Sequence, residues 1–271
     1  MSSRSRVSLS RRRVLAGLGT GLSTASIWGL APLIATGSVT SESPRVVGHR
    51  GAEGLAPPNT RAAIREALAV GVDGVELDVR RTLDGELVLF HDPILDWDST
   101  GRGWIQNTTW DEIDGATIDG EPLLTLSQGL AELASTDVTV YLELKAPGYT
   151  DSVIETVADH GLLDQSAVIA FDESALEPAR DAGVTTGLIG SLPTPGLVDE
   201  ATACGADLVF SHYAPRGVSN FVSAARDESI TAGVWKLVDT RQTIRDVLEI
   251  DFDVLVTNRP DYAYEVLRGE S

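Results

Sequence analysis

The 271-residue chain has a single cysteine, which excludes an intramolecular disulfide and any cysteine-based zinc cluster. Only two residues, Lys145 and Lys236, are lysine. Aromatic residues make up 6%. No G-x-G-x-x-G or Walker-type loop is present, so nothing supports a nucleotide-binding sheet of either kind. Positive charge is scarce overall: 21 Lys+Arg face 40 Asp+Glu, a formal charge of −19. Such a chain lacks the basic face that binding to nucleic-acid phosphates requires, and no nucleic-acid partner is expected. A hydrophobic fraction of 42%, with 26 Gly and 12 Pro, is that of a packed globular protein.

The charge is uneven along the chain. Residues 1–41 carry five arginines (Arg4, Arg6, Arg11, Arg12, Arg13) and no acid, so residues 42–271 hold sixteen basic and forty acidic groups, a net −24. Acid excess with scarce lysine suits a surface in concentrated salt, which screens self-repulsion; a halophilic source is expected. Ser10-Arg11-Arg12-Arg13-Val14-Leu15-Ala16 resembles a twin-arginine export motif. A weakly apolar run rich in Gly, Ser and Thr follows, from Val14 to Ile34. Its low hydrophobicity and basic front edge read as a removable signal, not a permanent anchor. The expected organisation is a signal segment at 1–41 and one domain at 42–271, extracellular or at the cell surface, with no stable membrane anchor.

From residue 42 onward, short Val/Ile/Leu runs alternate with amphipathic segments of helix length. Strands are expected at 45–48, 74–79, 138–144, 167–170, 186–189, 207–210, 233–238 and 253–256. Helices are expected at 60–70, 126–134, 151–160, 174–182, 197–204, 219–226, 240–249 and 260–268, with caps such as Asn59 or Thr60 and Ser174. The run 87–90 follows Val79 after a link centred on Asp84-Gly85, too short for a parallel crossover, so it should fold back as a hairpin. Eight strand–helix pairs remain. Their number and the length fit an α/β fold of the (β/α)8 TIM-barrel type, with a hairpin and loop insertion after the second barrel strand. A doubly wound open sheet is the alternative. Residues 92–125 form a long excursion with one short helix expected near 110–114, and long excursions in compact domains are often functional.

Polar residues cluster where these strands end, the face at which such barrels place their active sites. His49 and Arg50 end the first strand. Glu76 and Asp78 lie two apart on the second and share a face, as do Glu143 and Lys145 on the third. His91 and Asp92 close the hairpin. His212 follows the sixth strand, and Trp235, Lys236 and Asp239 fall at the end of the seventh. Three converging carboxylates repel one another unless a cation lies between them, and all-oxygen ligation selects a hard ion, Ca2+ or Mg2+. Two flanking histidines can divide proton removal and donation, and Arg50 and Lys145 can hold an anionic group such as phosphate. The residues alone read as metal-assisted phosphoryl transfer. Glu143 and Lys145 could instead form a plain ion pair. His160, before Gly161, reads as a helix-terminal structural residue.

His49-Arg50-Gly51, Pro58-Asn59-Thr60, Glu76-Leu77-Asp78-Val79, Leu89-Phe90-His91-Asp92, Glu143-Leu144-Lys145 and Val256-Thr257-Asn258-Arg259-Pro260-Asp261 together resemble the glycerophosphodiester phosphodiesterase family. The resemblance implies a phospholipase-C-like phosphodiesterase barrel with one divalent cation held by Glu76, Asp78 and Glu143. It implies an acid/base pair at His49 and His91, and phosphate contacts from Arg50 and Lys145. His212, Trp235 and Lys236 are candidates for the substrate rim. The implied reaction cleaves a glycerophosphodiester to sn-glycerol 3-phosphate and an alcohol, the nucleophile being either the neighbouring glycerol hydroxyl or water. Two alternatives stand beside it: a phospholipase-type enzyme on intact lipid, and a catalytically inactive binding barrel. The family usually has Pro-Glu-Asn-Thr where this chain has Pro57-Pro58-Asn59-Thr60, so Pro58 removes a carboxylate near the site. Trp235-Lys236-Leu237 departs from the pattern as well.

Overall fold

The computed structural model describes residues 43–235 and 238–269; the expected signal at 1–41 and the rim candidate Lys236 lie outside the described residues. Eight parallel strands form the barrel: β1 (Arg45–Gly48), β2 (Gly74–Arg81), β6 (Thr139–Leu144), β7 (Ser166–Ala170), β8 (Thr185–Gly190), β9 (Leu208–His212), β10 (Thr231–Trp235) and β11 (Val254–Thr257). Pairing runs β1-β11-β10-β9-β8-β7-β6-β2, and a further β1–β2 pairing closes the ring. The open-sheet alternative is thereby excluded. β3 (Leu87–Leu89) pairs antiparallel with β2, Arg80 opposite Val88, which is the expected hairpin.

Strand alternation separates two cores. Outward residues such as Val46, Leu77, Leu142, Val209 and Leu255 join the helices' Ile64, Leu130, Val153 and Phe221 in one cluster. Inward residues Val47, Tyr141, Ile169, Ile189, Leu208, Phe210, Val254 and Val256 fill the barrel. Tyr141 and Phe210 meet edge to face, ring centroids 5.9 Å apart at 83°. The Phe210 ring occupies the space a side chain at Gly233 would need, so the barrel is plugged by an aromatic pair beneath its mouth.

The helices are α1 (Arg61–Val70), α2 (Trp110–Ile113), α3 (Leu126–Leu133), α4 (Thr150–Asp159), α5 (Glu177–Asp181), α6 (Pro195–Cys204), α7 (Val218–Asp227), α8 (Arg241–Leu248) and α9 (Pro260–Leu267). Thr60 caps α1, its hydroxyl accepting from Ala63 N at 3.3 Å. The expected Ser174 cap is corrected. Asp172 accepts from Ser174 N at 3.0 Å and opens a separate 3-10 turn, Glu173–Ala175. Pro178, in the first turn of α5, has no amide hydrogen, which favours starting a new helix there.

The excursion after β3 is more ordered than its sequence suggests. It adds 3-10 turns at Leu95–Trp97 and Ile105–Asn107 and a two-stranded hairpin, β4 (Thr117–Ile118) with β5 (Glu121–Pro122). Asp119 and Gly120 join those strands with φ of 48° and 91°, the left-handed pair that an Asp-Gly hairpin turn demands. The lobe has its own core of Val88, Phe90, Leu95, Ile105, Ile113 and Leu123.

Candidate active site

The site is built from the interior rows of β1, β2 and β6 and the loops that follow. In the β2–β6 register Asp78 stands opposite Glu143, with Glu76 one inward step below. Glu76, Asp78 and Glu143 are all buried, and each offers a carboxylate oxygen within 4.8 Å of the other two. Burial, reinforced by the Asp78 charge, pushes the Glu76 carboxyl up to about 8. Burial also raises Glu143, against the opposing pull of Lys145. Asp78 goes the other way: burial would raise it, but Lys145 and Arg50 together hold it well below the usual carboxylate range.

Lys145 Nζ lies 2.6 Å from Asp78 Oδ1 and also donates to Glu143 Oε1. Arg50 Nε lies 3.2 Å from Asp78 Oδ2. Two carboxylate oxygens of the triad are buried and accept no hydrogen bond: Asp78 Oδ1, which has the Lys145 ammonium beside it, and Glu76 Oε1. Leaving such an atom without a donor or cation is costly. Three buried carboxylates, one with an orphaned oxygen and a raised pKa, fit a hard divalent cation with oxygen ligands.

The loop after β1 places the neighbouring groups. Arg50 adopts φ 51° and Gly51 φ 86°. A left-handed arginine costs roughly 1–2 kcal/mol. The turn is held by Arg50 N donating to Glu76 Oε2 at 2.9 Å. A side chain at Gly51 would come within 2.7 Å of the Ala63 backbone. His49 Nδ1 lies 2.6 Å from Asn258 Oδ1 and 3.3 Å from Glu53 Oε2, while Nε2 points to Glu76 Oε2 at 3.8 Å. Nδ1 is therefore the donor nitrogen, as assigned from these partners, and Nε2 faces the carboxylates.

His91 Nδ1 is likewise tied, to Asp92 Oδ1 at 2.8 Å. The two imidazoles differ in basicity. Burial opposes charging His49, but the Glu53 hydrogen bond and the Glu76 charge outweigh it and raise the pKa. Burial lowers His91, with Lys145 and Arg50 adding to that against Asp78.

His212 and Trp235 form one wall of the mouth, ring centroids 4.2 Å apart. Trp235 also lies 5.9 Å from the Phe171 ring and 6.2 Å from His49. The residues proposed from sequence thus gather at one mouth, with Lys236 outside the described residues. Sequence reading assigns no role to Glu53 or Asn258, and reads Asn59 only as a candidate cap of α1, a position that Thr60 takes. Asn59, with φ 58°, donates to Asp78 Oδ2 at 2.8 Å and accepts from Asp78 N at 3.0 Å. Asn258 takes its position from Asp239, whose Oδ1 accepts from its amide at 3.0 Å. The signals were present: Asn59 and Asn258 lie in the quoted motifs, and Glu53 follows His49 by four residues.

Residues 49–175 match the Glycerophosphoryl diester phosphodiesterase family. The chain is 26% identical over 239 residues to the glycerophosphodiester phosphodiesterase of Caldanaerobacter subterraneus, covering 82% of this chain and 97% of that one. YhdW of Bacillus subtilis, assigned to the same enzyme class, is 32% identical over 235 residues, 80% of this chain and 95% of its own. A solved Oleispira antarctica phosphodiesterase, in complex with the product sn-glycerol-3-phosphate, superposes with a TM-score of 0.75 at 21% identity, over 83% of this chain and 97% of that one. With these relatives, and with the barrel and the carboxylate triad at its mouth, the chain belongs to the glycerophosphoryl diester phosphodiesterase family.

Proposed function

We propose that this mouth hydrolyses glycerophosphodiesters to sn-glycerol 3-phosphate and an alcohol, using one divalent cation, Ca2+ or Mg2+, and proton transfer divided between His49 and His91. The observation that carries this is the buried triad with its orphaned Glu76 Oε1, flanked by histidines from two separate loops. Bound by Glu76, Asp78 and Glu143, the cation would neutralise charge on the phosphodiester oxygens. The chain's own groups do the rest. His49 and His91 each have Nδ1 occupied, which leaves Nε2 as the nitrogen that gives or takes a proton. Two imidazoles of unequal basicity suit opposite proton duties. Lys145 donates to Glu143 and is ion-paired with Asp78; its ammonium carries three donors and so can also serve a phosphate oxygen, and Arg50 stands beside it. The product held by the Oleispira antarctica relative supports the same reading.

The test is release of glycerol 3-phosphate from a panel of diesters with Ca2+, Mg2+ or Mn2+, at several salt concentrations. Release that disappears with EDTA and with Glu76→Ala is expected. Metal-independent release, or none from any diester, would overturn the reading.

We further propose export through the arginine-rich segment 1–41; in a reporter fusion, replacing Arg11 and Arg12 by Lys should abolish export, and undiminished export would overturn this. Among the described residues, no helix is long and apolar enough to cross a membrane.

A further inference from the structure

We infer that Arg80 is a positioning residue for His91, acting through the main chain and not on the substrate; this rests on reading His91 as a catalytic imidazole. Arg80 lies two residues beyond Asp78 on β2, so strand alternation puts it on the interior face, one step nearer the mouth. Its Nε and Nη2 both donate to the His91 carbonyl oxygen, at 2.8 and 2.6 Å. A planar guanidinium with two prongs on one oxygen fixes both the distance and the plane of that carbonyl, which a lysine point donor cannot do.

The loop needs such a tie. The β2–β3 ladder ends at Val79 opposite Leu89, and one more bond, Phe90 N to Asp78 O at 3.1 Å, follows. Beyond it the chain leaves the sheet at His91. The His91 side chain is 39% exposed, against 14% for His49. Packing therefore constrains the His91 ring less than that of His49, and more of its placement falls to hydrogen bonds. Asp92 fixes the ring through Nδ1, and Arg80 fixes the backbone that carries both residues.

The cost of this arrangement also points to a role. Arg80 is half-buried and makes no ion pair within 4.0 Å among the described residues; both of its bonds to His91 go to a neutral carbonyl. A cavity of about 450 Å³ walled by Arg80, Arg81, Pro93 and Tyr149 lies alongside, so a shorter side chain leaves the loop room to shift.

Arg80→Lys and Arg80→Gln are compared with the parent protein in saturating Ca2+ or Mg2+. Both should lower kcat by about 10- to 100-fold with KM nearly unchanged, since small misplacement of a reacting group is that costly. Both should also speed amide exchange in a peptide covering residues 90–93, while a peptide covering 139–144 keeps its protection. A lysine variant with parental kcat, or unchanged exchange at 90–93, would overturn the inference. If the parent cleaves no diester, the proposed function fails while exchange at 90–93 still decides whether Arg80 holds the loop.

Discussion

His49 Nδ1 and Asn258 Oδ1 lie 2.6 Å apart across 209 residues of chain. The pairing of β1 with β11 brings them together, Gly48 opposite Thr257, with His49 N donating to Thr257 O at 3.0 Å. Barrel closure therefore sets the ring of His49, and Asp239 fixes the amide that does so. Asn258→Ala is expected to lower kcat by about 10- to 100-fold while leaving KM and cation affinity nearly unchanged. Steady-state kinetics with calorimetric titration of the cation checks it. Loss of cation binding would make Asn258 part of the carboxylate site instead.

The triad and the histidines should separate in a binding experiment. Glu76→Gln removes a charged ligand from a buried three-carboxylate site, and the cation heat should vanish or its affinity fall by orders of magnitude. His91→Ala should lose turnover and keep the heat, because the His91 imidazole is tied to Asp92 and not to the triad. An His91→Ala protein that no longer binds the cation would identify His91 as a ligand.

The barrel was readable because its strands are short Val/Ile/Leu runs separated by helix-length segments, and because Asp84-Gly85 marked 87–90 as a hairpin. Glu76 and Asp78 were readable because a two-residue spacing on an apolar strand puts two charges on one buried face. What escaped depends on partners distant in sequence. Nothing local in Asn258 indicates His49, and nothing in Arg80 indicates the carbonyl of His91; both require the folded turns. The start of α5 escaped because Ser174 looks like a cap while Pro178 resets the helix downstream. Position 58 is a proline and offers no carboxylate, while Glu53 brings one to both His49 and Arg50, at 3.3 Å each.

Glu132 on α3 joins α1 through Arg61 Nε at 2.7 Å and Arg65 Nε at 2.9 Å. The Arg65 hydrogen bond first, and Arg61 with it, holds this carboxyl below its ordinary value. A depressed folded pKa gives stability that is fully present above the unfolded pKa and lost as pH falls through the folded one. Glu132→Gln should therefore lower the melting temperature at pH 7 and approach the parent at acid pH. Equal losses at both pH values would rule out the ionic contribution.

Gly233 faces the Phe210 ring, which also sits against Gly187, where an added side-chain carbon would stand 3.2 Å from it. The ring has glycine on two sides and Tyr141 on a third, so it has little room to move. Gly233→Ala should destabilise the barrel by about 1–3 kcal/mol, the usual cost of overpacking a filled core. Denaturant unfolding measures this, and the double variant Gly233→Ala with Phe210→Leu should recover part of the loss. If the single variant unfolds at the parental midpoint, the aromatic plug is looser than its contacts indicate.

The net −24 of residues 42–271 gives the surface a testable dependence on salt. Three of the carboxylates, Glu76, Asp78 and Glu143, face inward and are partly compensated by Arg50 and Lys145, so added ions reach them least. The exposed acids repel one another over a range of about 10 Å at 0.1 M salt and about 3 Å at 1 M. Raising KCl from about 0.1 to 1 M should therefore raise the melting temperature steeply and then level off, because screening saturates once the Debye length falls below the spacing of surface charges. Non-specific salting-out instead keeps climbing with concentration. A melting temperature flat between those concentrations would remove the case for a salt-adapted surface.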